Sequence, residues 1–187
     1  MAKIAISGNI AAGKSVVETF LKEKGYIVID TDNLAHEILD TSEEVKLAFK
    51  DFDIIANDKI CRKKLGAIVF NNSTQKEILE SIIHPQIINK IKEINSDTPI
   101  FISVPLLFEA KMQNLFDKII FVTADANIRL ERLMKRNSLT KEEALLRINA
   151  QDSEDDKIKQ SDFIIYNNSD INSLNQQLEK VLEKILL

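Results

Sequence analysis

Residues 7–15 read SGNIAAGKS, in which Gly8 and Gly13 are separated by four residues and followed at once by Lys14 and Ser15. That spacing is what a polyphosphate asks for: backbone N–H groups wrap the phosphates, Lys14 reaches the terminal ones, and the Ser15 hydroxyl holds magnesium. The dinucleotide pattern G-x-G-x-x-G is absent, so a nicotinamide- or flavin-binding turn is set aside. A second chemically capable group is Asp30-Thr31-Asp32, where the apolar run YIVI (26–29) delivers carboxylates at its C-terminal end. Phosphoryl transfer to a hydroxyl needs magnesium, cations around the moving group and a carboxylate that takes the hydroxyl proton. Asp32 or Asp30 suits the last role. The competing role is N-cap of the helix TDNLAHEIL, and both roles are filled if one residue caps while another faces substrate.

Arg129, Arg132, Arg136 and Arg147 form a third group. Guanidinium groups suit bidentate phosphate contacts, and helices folding over a nucleotide can supply them while excluding water. Taken singly, each reads more readily as an exposed arginine paired with Glu131, Glu142 or Glu143. As a group on one segment they read as a lid.

These residues need a frame. KIAIS (3–7) suits a buried strand, and SVVETFLKEKG places Val16, Val17, Phe20 and Leu21 at helical spacing with Gly25 as the stop. The phosphates therefore fall on a helix N-terminus, where free N–H groups and the macrodipole favour anions. PIFISV (99–104), KIIFV (118–122) and DFIIY (162–166) complete a set of five strands with YIVI. Their alternation with helices predicts an α/β fold with a five-stranded parallel sheet in three layers. Residues 33–95 read as helices throughout and are too long for a simple crossover, which predicts a helical insertion for the second substrate. A second helical insertion is expected at about 125–160, with Thr140 and Glu143 as a capping box. The core is then about 1–32, 96–124 and 161–187. Its last helix carries Leu174, Leu178, Val181, Leu182 and Ile185 as an apolar stripe toward the sheet.

Composition excludes several classes. With 44% apolar and 29% charged residues the chain reads as one globular domain of 187 residues. No apolar run approaches the roughly 20 residues of a membrane span, and no signal peptide precedes the first strand, so a cytoplasmic protein is expected. A net charge of −4 without a basic stripe argues against nucleic acid. The lone Cys61 reads as a small buried residue, and CRKK (61–64) as a solvated helix face.

Taken in order, SGNIAAGKS, VIDTDNLAHEIL, KKLGAIVF, IIHP, VPLLFE, RNSLTKEEALLRINAQ and DFIIYNNS resemble the dephospho-coenzyme A kinase family over essentially the whole chain. The resemblance implies transfer of the ATP γ-phosphate to the 3′-hydroxyl of dephospho-coenzyme A, with Mg2+ as cofactor. It implies Asp32 and Lys14 as catalytic residues, Gly8, Asn9, Ala11, Ala12, Gly13, Lys14, Ser15, Val16, Arg136 and Arg147 at ATP, and Ser15 at the metal. Asp32, His84, Leu106, Leu107, Phe108 and Glu109 fall at the acceptor, and Asn167-Asn168 near the adenine. The chain departs from the family's GGIGSGKST at Asn9, Ala11, Ala12 and Val16, and His36 replaces a frequent arginine. Ala11, at a position often glycine, must avoid φ > 0 or accept strain. ATP and dephospho-coenzyme A are the expected partners of a monomer or weak homo-oligomer. The rivals are a P-loop kinase of another small acceptor, such as a nucleoside monophosphate or a sugar, and a non-catalytic ATP-binding switch.

Overall fold

The computed structural model describes residues 2–56 and 59–186; residues 1, 57, 58 and 187, which fall within the expected core and insertion, lie outside the described residues. The chain forms two compact units, one of residues 1–29 and 96–187 and the other of residues 30–95.

The first unit is built on a sheet whose central strand is β1 (Lys3–Gly8), followed by a loop and α1 (Lys14–Glu23). β2 (Ile27–Asp30) is an edge strand of the same sheet, and at its end the chain passes into the second unit. After the second unit come β5 (Ile100–Ser103), β6 (Lys118–Thr123), α6 (Ala126–Asn137), α7 (Lys141–Asn149), α8 (Glu154–Lys159), β7 (Phe163–Tyr166) and α9 (Ile171–Leu186). Strand order is β2-β5-β1-β6-β7. β1 is parallel to β5 and β6, with Ile6 opposite Ser103 and Gly8 opposite Val122, and β6 is parallel to β7. The strands are short runs of Ile, Val and Phe with four of four residues buried in β5, as expected of a sheet covered on both faces. Ile4, Ile6, Val17, Leu21, Phe101, Ile120, Val122 and Ile165 pack with Leu174, Leu178, Val181 and Leu182 of α9 in one core. The apolar stripe of the last helix thus faces inward. The capping box at Thr140 and Glu143 opens α7.

The second unit contains α2 (Thr31–Thr41), α3 (Glu43–Ala48), β3 (Ile55–Ala56), β4 (Lys59–Ile60), α4 (Arg62–Phe70) and α5 (Ser73–Glu93). β3 and β4 form an antiparallel pair inside a segment expected to be all helix. Two-residue strands carry no period long enough to read, so local patterning could not reveal them. Ile38, Val45, Phe49, Ile54, Ile60, Leu65, Ile83, Ile87 and Ile91 are buried and make this unit's core. Pro85 lies inside α5, where its missing N–H leaves the Ser81 carbonyl without a helical donor. Cys61 is half-buried at the start of α4 rather than a core residue, because the helix N-cap sits at the surface. Arg62, Lys63 and Lys64 form a solvated face, with Lys64 paired to Asp53 at 2.7 Å.

Candidate active site

The carboxyl ends of β1, β5 and β6 lie side by side and carry Gly8, Ser103 and Thr123. In a parallel sheet that edge is where ligands bind. Gly8 is required there by space: a Cβ would come within 2.6 Å of the Val122 carbonyl oxygen. The loop turns back through an Ala12 N–H donated to the Asn9 carbonyl at 3.1 Å. It enters α1 with two left-handed residues, Ala11 at φ 60° and Gly13 at φ 99°. Ala11 therefore accepts the strain anticipated for it, a cost of roughly 1–2 kcal/mol that glycine would not incur. α1 begins with no side-chain cap and no acidic residue in its first turn. Its leading N–H groups and positive dipole end are thus left to an anionic ligand.

Lys14 Nζ donates to Glu18 Oε1 at 2.7 Å and to Ser103 Oγ. Ser15 is exposed at the helix start, and a hard hydroxyl oxygen next to a phosphate cradle fits a magnesium ion. Val16 is half-buried in the first turn of α1.

Residues distant in sequence clamp this loop. Asn167, following β7, donates from Nδ2 to the Ala12 carbonyl at 2.9 Å, and its own N–H donates to the Thr123 carbonyl at 2.8 Å. A Cβ on Gly13 would stand 2.1 Å from Asn167 Nδ2, so the glycine is fixed by contact as well as by φ. Gln151 Oε1 accepts the Ile10 N–H at 2.8 Å. Glu154 accepts from Asn9 Nδ2 at 2.7 Å, from Arg129 NH2 at 2.9 Å and from Thr123 Oγ1. Arg129 is thus a buried structural partner rather than an exposed lid arginine.

Beside Gly13 a cavity of about 280 Å3 is lined by Val16, Arg132, Asn167, Ile171 and Leu174. Apolar walls with an amide and a guanidinium at the rim suit a planar nitrogenous base. Arg132 NH1 is buried there without a partner among the described residues. Sequence reasoning grouped Arg132 with the other arginines without assigning it to the site. The signal was its spacing, since Arg129, Arg132 and Arg136 recur at i, i+3 and i+7 on one face of α6. Arg136 is exposed and donates to Asn137 Oδ1 at 2.9 Å, and Arg147 is exposed on α7.

The remaining candidates are placed as follows. Leu107 and Phe108 are buried, Phe108 edge-on to the Phe121 ring at 5.9 Å, while Leu106 is about half exposed. Glu109 accepts from the buried Lys157 at 2.6 Å. In the second unit, Asp30 Oδ1 accepts the Asp32 N–H at 2.9 Å and so caps α2. Within Asp30-Thr31-Asp32, then, Asp30 caps, Thr31 is buried, and Asp32 is exposed in the first turn. His36 lies one turn further along α2, exposed, and His84 is half-buried in α5.

The Glu154 cluster gives a stability prediction. Glu154→Ala leaves Arg129, 8% exposed, without its carboxylate. Removing one partner of a buried pair costs about 3 kcal/mol, which in a chain of this size lowers the melting temperature by roughly 6–12 °C. A melting temperature within two degrees of the unaltered protein in a thermal scan counts against it.

A family model described as dephospho-CoA kinase matches residues 2–173. A dephospho-CoA kinase from Oceanobacillus iheyensis is 40% identical over 97% of this chain and 96% of that protein. One from Fusobacterium nucleatum is 38% identical over 97% of each. The solved structure of a dephospho-CoA kinase from Campylobacter jejuni superposes with a TM-score of 0.76 at 34% identity, covering 98% of this chain and 96% of that one.

Proposed function

This chain belongs to the dephospho-CoA kinase family, and from that premise we propose that it transfers the γ-phosphoryl group of ATP to the 3′-hydroxyl of dephospho-CoA, giving CoA and ADP. Its α/β P-loop kinase fold supports the reaction, and the cytoplasm is the compartment we propose for it, since no helix among the described residues is long and apolar enough to cross a membrane. The observation that carries the reading is the loop from Gly8 to Ser15, closed on an uncapped helix start with its lysine at the end of β5.

The residues divide the work. N–H groups of residues 11 and 13–15 hold the phosphates, that of Ala12 being spent on the Asn9 carbonyl, and Lys14 meets the terminal ones. Arg136 and Arg147 on the lid helices bring cations to the transferred group and exclude water. The cavity by Gly13 takes the adenine between Val16, Ile171 and Leu174, with Arg132 and Asn167 at its rim. Ser15 would hold a magnesium ion carried with ATP, and that ion would supply positive charge to offset the phosphates. For the acceptor, Asp32 and His84 lie in the second unit, and Leu106 and Glu109 offer surface in the first, whereas Leu107 is fully buried and Phe108 nearly so. The 3′-oxygen bonds to the γ-phosphorus as the bond from phosphorus to the bridging oxygen breaks. Asp32 takes the hydroxyl proton, and ADP leaves with the electron pair.

The test is ADP release from ATP and Mg2+ by the purified protein, with dephospho-CoA set against nucleosides, nucleoside monophosphates and sugars. Release is expected with dephospho-CoA alone. Release with a different acceptor would overturn the substrate assignment, and ATP binding without release from any acceptor would leave a nucleotide-binding switch.

A further inference from the structure

The lysine of the phosphate loop is already engaged. Lys14 Nζ donates to Glu18 Oε1 at 2.7 Å and to Ser103 Oγ, while Ser103 Oγ donates its own proton to the same Glu18 oxygen at 2.7 Å. The three groups close a ring one turn into α1. The side chains of Lys14 and Glu18 are only 19% and 13% exposed, and Ser103 is fully buried, so water screens their charges weakly. β5, the neighbour of the loop's strand, ends at Ser103 without a carboxylate of its own, and Glu18 reaches across from α1 to fill that place.

We propose that Glu18 is a positioning residue that competes with nucleotide phosphate for Lys14 and so makes nucleotide affinity depend on an accompanying divalent cation. The argument rests on the reading of residues 8–15 as the nucleotide site. An incoming polyphosphate must draw the ammonium away from Glu18, and it then lies beside a poorly solvated carboxylate of its own sign. Both effects oppose binding. A divalent cation arriving with the phosphates offsets the carboxylate, and the opposition fades. The same ring keeps Lys14 extended toward the end of β5 instead of sampling its many rotamers.

Glu18→Gln keeps the shape and the ability to accept from Ser103, and removes only the charge. ADP titrated by calorimetry into this variant with chelator present should bind about tenfold more tightly than to the unaltered protein, the equivalent of roughly 1.4 kcal/mol. With excess Mg2+ the two proteins should differ by less than about threefold, so the magnesium dependence of affinity narrows. Glu18→Asp retains the charge and should restore most of that dependence. A Glu18→Gln variant with the unaltered protein's ratio of magnesium-free to magnesium-bound affinity overturns the proposal. So does one that binds more weakly in both conditions, which is the behaviour of a merely structural carboxylate. Lys14→Ala run alongside separates the premises: if it binds ADP as the unaltered protein does, the nucleotide site itself is wrongly placed. If it loses ADP while Glu18→Gln shows no change in ratio, only the role of Glu18 falls.

Discussion

Asp32→Asn should lower kcat with dephospho-CoA by about a hundred- to ten-thousandfold, the range spanned by loss of a positioned general base, while ATP affinity stays within about twofold. The substitution spares the helix cap, which does not depend on the carboxylate that is changed. Asp30 Oδ1 accepts the backbone N–H of residue 32, and asparagine keeps that N–H. What α2 loses is a negative charge in its first turn, worth roughly 0.3–1 kcal/mol at an exposed helix start. A fall in kcat with unchanged ATP binding therefore reports on proton transfer. Steady-state rates with saturating ATP, set beside ATP titration of the resting protein, separate the two. Unchanged turnover removes Asp32 from the reaction and leaves the acceptor hydroxyl to lose its proton to solvent.

Lys14→Ala should be comparably severe by a different route. Its ammonium stands beside the loop at the end of β5, and removing one preorganised charge from a developing transition state costs on the order of a hundred- to a thousandfold in kcat. ATP affinity should fall as well, because Lys14 meets phosphate in the ground state too; this distinguishes the variant from Asp32→Asn, in which binding survives. The substitution also strips Glu18 of its ammonium partner, leaving a carboxylate 13% exposed with Ser103 as its donor in the ring. A thermal scan must accompany the kinetics, since some loss of stability is expected from that charge alone. Retention of more than about a tenth of the unaltered kcat would show that the loop N–H groups and the arginines carry the phosphates without the lysine.

The two substitutions bear on different units. Lys14 belongs to the unit of residues 1–29 and 96–187, and Asp32 to the unit of residues 30–95.

Much of this protein is written in contiguous residues. Strand, loop and helix from Lys3 to Glu23 follow from an apolar run, glycines at fixed spacing and a 3.6-residue period, all of them local properties. The capping box at Thr140 and Glu143 spans three residues and was equally legible. So was α9, whose apolar stripe defines its buried face whatever it packs against. The pair β3 and β4 was not legible, because two residues per strand express no period.

What tertiary structure alone decided is which partners meet. Ser103 reaches Glu18 across 85 residues, Ile10 reaches Gln151 across 141, Asn9 reaches Glu154 across 145, and Ala12 reaches Asn167 across 155. Nothing in the neighbourhood of Arg129 distinguishes it from Arg136, yet one is buried against Glu154 and the other lies in solvent. The physical reason is one of range. Backbone dihedrals, caps and amphipathic faces are set by neighbours within a turn or two and so leave a pattern in sequence. The ring around Lys14 and the clamps on its loop exist because a sheet of order β2-β5-β1-β6-β7 brings strand ends from distant parts of the chain to one edge. That order is fixed by packing, and packing decides which of several plausible carboxylates a given cation meets.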